Sequence, residues 1–140
     1  MLSNKLIMDT ITQNTHLKTS KKLIGNVISI EEDKAIVQLN ISEEMVVDSL
    51  GLSHGGFTFG LADYAAMVLI NHPNVVLGKA EVKFVKPTVV GDVLTATASY
   101  KEKINDVKTV VSVLVFNKKQ EVVFEGEFVC FTLPKHVLDK

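Results

Sequence analysis

The stretch His54-Gly55-Gly56-Phe57-Thr58-Phe59-Gly60-Leu61-Ala62-Asp63-Tyr64-Ala65-Ala66-Met67-Val68-Leu69-Ile70 decides how the rest of the chain is read. From Phe57 to Ile70 its only charged residue is Asp63, and apolar residues fall on every side of a helix drawn through it. Such a helix is covered all round rather than laid on a surface. Asp63 is the anomaly in it. A carboxylate among apolar and small residues costs several kcal/mol unless it is paired, hydrogen-bonded or protonated, of the order of ~2–7 kcal/mol for a polar group alone. Chains carry that cost most often where chemistry is done.

Outward from the helix, the flanks read as strands. Residues 23–31 set Ile24, Ile28 and Ile30 on one side, and residues 35–41 set Ala35, Val37, Leu39 and Ile41 together, joined by the polar turn Glu32-Asp33-Lys34. The connector 42–53 contains Gly51 as a turn residue. Beyond the helix, Asn71-His72-Pro73-Asn74 forms the stop, since proline cannot continue the hydrogen-bond ladder. Four alternating runs follow, 75–85, 92–101, 107–116 and 121–133, with short polar links. Residues 3–15 read as a short N-terminal helix capped by Ser3, within a leader covering 1–22; the main domain spans 23–140. Two strands, a buried helix and four strands fit one α+β layer pair: a six-stranded antiparallel sheet wrapped around one long central helix. The side of the helix left open by the sheet calls for further cover, and a second copy of the chain is the simplest source.

Composition narrows the function. With 140 residues there is one domain, and a formal net charge of −1 argues against a general nucleic-acid binder. Cys130 is the single cysteine and alternates with Val122, Phe124 and Phe128, which makes it a buried structural thiol. No targeting segment is visible, and the apolar run 62–70 is too short to span a bilayer, so the expectation is a cytoplasmic protein with no membrane contact. All 15 basic residues are lysines, so any phosphate is held by point charges, amides or hydroxyls. His54, Asp63 and Asp48 form no metal-ligand set, and no cofactor is expected.

The pattern His54-Gly55-Gly56, six residues, Asp63, one residue, Ala65, together with Phe84-Val85-Lys86-Pro87 and Val90-Gly91-Asp92, resembles the hotdog-fold thioesterase superfamily, in particular its phenylacetate-pathway, PaaI-like branch. The resemblance covers about 23–133 and implies a hotdog fold acting on an acyl-coenzyme A, with coenzyme A belonging to the substrate. It implies that the backbone N–H of Gly55 polarises the thioester carbonyl and that Asp63 of the opposite subunit serves as general base or nucleophile. His54, Gly56, Asp48, Phe57, Phe59 and Tyr64 are then the substrate-binding candidates, with the acyl group near Phe57, Phe59 and Tyr64, and His54 positioning the turn rather than acting as base. Met67, like Tyr64, reads as core or pocket lining. Lys79, Lys83, Lys86, Lys118 and Lys119 are candidates for the phosphates, none of them assigned.

Gly55 and Asp63 lie eight residues apart on the sequence, about 12 Å along one helix, so the pair calls for two antiparallel helices in a homodimer, with a dimer of dimers left open. The family pattern commonly carries asparagine where this chain has Asp48, and a second carboxylate near Asp63 would be expected to repel it and raise one pKa of the two. Leu77 and Gly78 offer no hydroxyl to steer water at the start of the next strand. These departures keep a second reading open, a non-catalytic acyl-CoA-binding or sensing protein that resembles the ligand domain of FapR-like regulators without their DNA-binding part. A hydratase reading is weaker, because His16, His72 and His136 lie outside the central motif.

Overall fold

The computed structural model describes residues 11–139. Among the described residues, six strands, β1 (Asn26–Ile30), β2 (Lys34–Asn40), β3 (Val75–Phe84), β4 (Val93–Lys103), β5 (Lys108–Phe116) and β6 (Val122–Thr132), pack around one α-helix, α1 (Gly55–Ile70). They form a single antiparallel sheet in the order β1-β2-β4-β5-β6-β3, so the strand that follows the helix crosses to the far edge. This is the α+β hotdog architecture, and each strand expected from the period-2 patterns is present to within a few residues. The expected helix over 3–15 falls mostly on residues outside those described, and its described part, 11–15, is irregular rather than helical.

The sheet's inner face explains why the helix can sit so deep. Ala96 pairs with Val37 on one side and Val115 on the other, and Ala98 lies between Ala35 and Val113. These small residues on β4, a strand that packs against the helix, are fully buried, as are Ala62, Ala65 and Ala66 of the helix, where every residue from Leu61 to Leu69 except Asp63 is buried. Small side chains on both surfaces let the axes approach, while Leu61, Met67, Phe124 and Phe128 fill the flanks and are fully buried. Each such large side chain contributes about 1.5–3 kcal/mol. Cys130 is buried among them and free.

The helix ends on Asn71 in the left-handed conformation, its N–H donating to the Met67 carbonyl, and Pro73 follows as reinforcement rather than as the stop itself. The leader closes over this end. Asn14 N–H donates to Asn71 Oδ1 at 2.7 Å, Asn71 Nδ2 donates to the Thr12 carbonyl at 2.8 Å, and Gln13 Nε2 donates to the Tyr64 hydroxyl at 3.0 Å. Part of the helix surface for which a second copy was the expected cover is thus covered by the chain's own leader. What stays accessible lies nearer the start: Gly56 is exposed, and Phe59, Gly60 and Asp63 are partly so.

Candidate active site

The connector before the helix is a small hairpin. Val46 bridges Ser53, and Leu52 bridges Val89. Asp48 Oδ1 accepts from the Leu50 and Leu52 N–H groups at 3.0 and 3.1 Å, and Gly51 takes a φ of +86°, a region that a residue with a Cβ rarely enters. The carboxylate of Asp48 is therefore turned into its own loop. This hairpin delivers His54, whose N–H donates to the Met45 carbonyl, while Ser53 N–H donates to the Thr88 carbonyl, both at 2.8 Å. His54 is the N-cap of α1.

Helix starts leave N–H groups without intrahelical partners. Here Gly56 N–H donates to His54 Nδ1 at 2.8 Å and Phe57 N–H to the His54 carbonyl at 3.2 Å. Among the described residues, none accepts from Gly55 N–H. Gly55 borders a cavity of about 290 Å³ whose other walls include Ser53, Thr58, Phe84, Pro87 and Thr88. A Cβ on Gly55 would stand 3.1 Å from the Phe84 ring, so the bare glycine lets that aromatic wall close against the helix start. Phe84 in turn meets Phe124 edge to face with centroids 5.1 Å apart.

Asp63 lies two turns further along, partly exposed, with Oδ1 buried and without a hydrogen-bond partner among the described residues. Burial raises its pKa from 3.8 to about 6. The repulsion expected from Asp48 is not the cause, because the loop amides hold that carboxylate elsewhere. Cys130 feels the same surroundings: burial first, and then the charge of Asp63, push its thiol up to about 12. This thiol stays protonated and inert.

The remaining candidates are spread over three places. Phe57 stands edge-on to His54, Phe59 packs on Phe128 at 5.6 Å between centroids, and Tyr64 is buried beneath the leader. None of the three lines the cavity beside Gly55. The hydroxyl-bearing residues that do line it, Ser53, Thr58 and Thr88, were not singled out by the sequence. Thr58 carried a usable signal, since it lies one helical turn after Gly55 and shares its face. Thr88 carried none, because tertiary pairing brings it there: the Leu52–Val89 bridge and the Ser53 N–H bond to the Thr88 carbonyl. Lys86 also reaches this cavity, with its ammonium 2.7 Å from Glu121. A larger depression of about 470 Å³ lies on β3, β5 and β6, lined by Glu81, Lys83, Glu125 and Glu127, and contains neither Gly55 nor Asp63. Among the described residues, no helix is long and apolar enough to cross a membrane.

A model of the thioesterase superfamily matches residues 50–124, more than half of the chain and the segment that holds both Gly55 and Asp63. This chain belongs to the thioesterase superfamily. Within it, the chain is similar to an uncharacterized protein, PH1136 of Pyrococcus horikoshii, with 54% identity, a TM-score of 0.90, and coverage of 93% of this chain and 98% of that one. The PaaI protein of E. coli shares 26% identity at a TM-score of 0.74, covering 81% and 83% of the two chains. Among sequence relatives, a methylthioribose-1-phosphate isomerase of Aquifex aeolicus is 46% identical over 81% of this chain, and the transcription factor FapR of Oceanobacillus iheyensis is 30% identical over 79%. This chain spans only 25% of that isomerase and 58% of that regulator, so this thioesterase-superfamily domain is similar to one part of each longer protein. The hotdog fold and the PaaI- and FapR-like branch read from the sequence agree with these matches.

Proposed function

We propose that this protein is an acyl-CoA thioesterase that works as a homodimer. The observation that carries the reading is Asp63, a carboxyl with one buried, unpartnered oxygen and a pKa raised to about 6 on the open side of the helix. A carboxylate poised near neutrality is suited to take a proton from water. In the proposed reaction the thioester carbonyl accepts from Gly55 N–H, and Asp63 of the partner subunit removes a proton from water as its oxygen attacks the carbonyl carbon. The oxyanion so formed is held by Gly55 N–H and the positive end of the helix dipole. On collapse the C–S bond breaks, the protonated Asp63 returns its proton to the leaving thiolate, and a free acid and coenzyme A result. The spacing of Gly55 and Asp63 supports their coming from different chains, since they stand about 12 Å apart along one helix.

A second reading, binding or sensing of an acyl-CoA without hydrolysis, is favoured by one observation: Asp48, where the family pattern has an amide, is a carboxylate whose Oδ1 anchors its own loop through two backbone N–H groups. The similarity to FapR supports the same reading. The isomerase activity of the Aquifex relative is not part of either proposal, because this chain corresponds to a quarter of it.

The deciding experiment exposes wild type and Asp63→Ala to a panel of acyl-CoAs and follows thiol release together with thermal shift. Thiol release that disappears with Asp63 supports the enzyme. Thermal shifts in both proteins with no release support the binder.

A further inference from the structure

We infer that His54 is a positioning residue whose ring occupies the second amide of the helix, leaving the first, Gly55 N–H, as the amide of this turn that is open to a ligand oxygen. The functional half of this inference rests on the thioesterase reading; the geometric half does not. Gly56 N–H donates to His54 Nδ1 at 2.8 Å. A Cβ on Gly56 would stand 2.9 Å from Nδ1, closer than real Cβ contacts come, and a tight 3.1 Å from Cε1. The second glycine of the motif is therefore the seat of the histidine ring. Phe57 N–H is taken by the His54 carbonyl at 3.2 Å, and the Phe57 ring braces the imidazole edge to face at 6.3 Å. Of these three amides, only that of Gly55 has no acceptor among the described residues.

An acceptor nitrogen has no hydrogen, so the ring that makes this contact is neutral with its proton on Nε2. Were Gly56 N–H also free, a developing oxyanion could shift between two neighbouring donors. Filling one of them fixes the carbonyl's line of approach, which is the requirement for preorganised stabilisation.

The test is a cycle of His54→Ala, Gly56→Ala and the double variant, with His54→Ser as the conservative variant, because serine caps a helix but has no ring. Against an acyl-CoA that wild type hydrolyses, each single variant is expected to lower kcat about tenfold, the order of a lost cap, with KM within about threefold. The double variant is expected to be no slower than either single one, and His54→Ser to recover to within about threefold of wild type. Additive losses overturn the inference, and so does a serine variant as slow as the alanine one, which would mean that Nε2–H itself touches the ligand. Correlation of ring ¹⁵N and ¹H signals of His54 decides the geometry without any substrate. A proton on Nε2 in wild type, lost as a fixed state in Gly56→Ala, supports the cap; a proton on Nδ1 in wild type overturns it. If wild type releases no thiol, the thioesterase reading and the functional half fall together, and the NMR result still decides whether the ring caps the helix.

Discussion

The two ends of α1 are built from similar materials and finished differently. At the C-terminal end, the Asn71 N–H closes on the Met67 carbonyl, and its side-chain amide is used at both atoms by the leader, at Asn14 and Thr12. At the N-terminal end, His54 uses its ring and carbonyl to hold Gly56 and Phe57, and Gly55 N–H is left over beside a cavity. One end is tied down by the chain's own leader and by the Tyr100 hydroxyl, which donates to the Leu69 carbonyl at 3.0 Å; the other leaves the Gly55 N–H without an acceptor among the described residues. A helix whose first amide stays free at a cavity has a place for an electronegative ligand atom, whereas a closed end serves stability alone.

The contrast can be tested by substitutions that affect one end or the middle. The largest effect is expected from Asp63→Asn, which should slow thiol release by about 10²–10⁴-fold as a lost general base does, measured at saturating acyl-CoA. The same variant should be more stable than wild type, by a margin that depends on pH. Wild-type Asp63 is raised from 3.8 to about 6, so the native state binds the extra proton, and stability falls as pH rises through that window. Above about pH 6 the gain in Asp63→Asn should approach about 3 kcal/mol, and below about pH 4 it should vanish, as read by denaturant melts at both pH values. Wild-type activity should run the opposite way, rising with pH through about 6 as the base loses its proton.

Next in size is Gly55→Pro, which removes the N–H that no described residue accepts from; its fixed φ suits the first helical position, and its Cβ requires the Phe84 ring, 3.1 Å away, to give by a few tenths of an ångström. The preceding His54 already has the extended φ of −67° and ψ of +129° that a residue before proline prefers. Activity should fall about 10²–10³-fold, the effect of one lost oxyanion donor, with the far-UV helix signal kept. Mixing Gly55→Pro with Asp63→Ala tests the shared site. If Asp63 reaches across the dimer, equimolar re-association should restore about a quarter of wild-type activity, since half the dimers are mixed and each has one intact site. No recovery would confine both residues to one chain. The smallest effect belongs to the closed end: Asn71→Ala should destabilise by about 1–2 kcal/mol and leave kcat unchanged, measured by melting and by turnover.

Much of this architecture could be read before any coordinates. The all-round apolar helix and the alternation in residues 75–85 and 121–133 each reflect a period set by backbone geometry, so neighbouring residues are enough to reveal them. Gly55, Gly56 and Asp63 were also legible, two as glycines ahead of a helix and one as a carboxylate in an apolar run. Other features were not. The path of the leader depends on Asn14 and Gln13 meeting Asn71 and Tyr64, more than fifty residues away, and no local pattern in 11–15 announces it. Asp48 read as a neighbour of Asp63, and only the Leu50 and Leu52 amides turned it into a loop anchor. Thr88 reached the cavity through a bridge between two loops.

By itself, the amino-acid order determined which segments are strands, which is the buried helix, and that a single acid, Asp63, interrupts its apolar run. Tertiary structure decided which amide at the helix start stays unoccupied, how the other end is closed, and which side chains wall the cavity. The physical reason is range: secondary structure follows from steric rules between residues a few positions apart, whereas the state of a single N–H or carboxyl depends on groups that the fold brings from far along the chain.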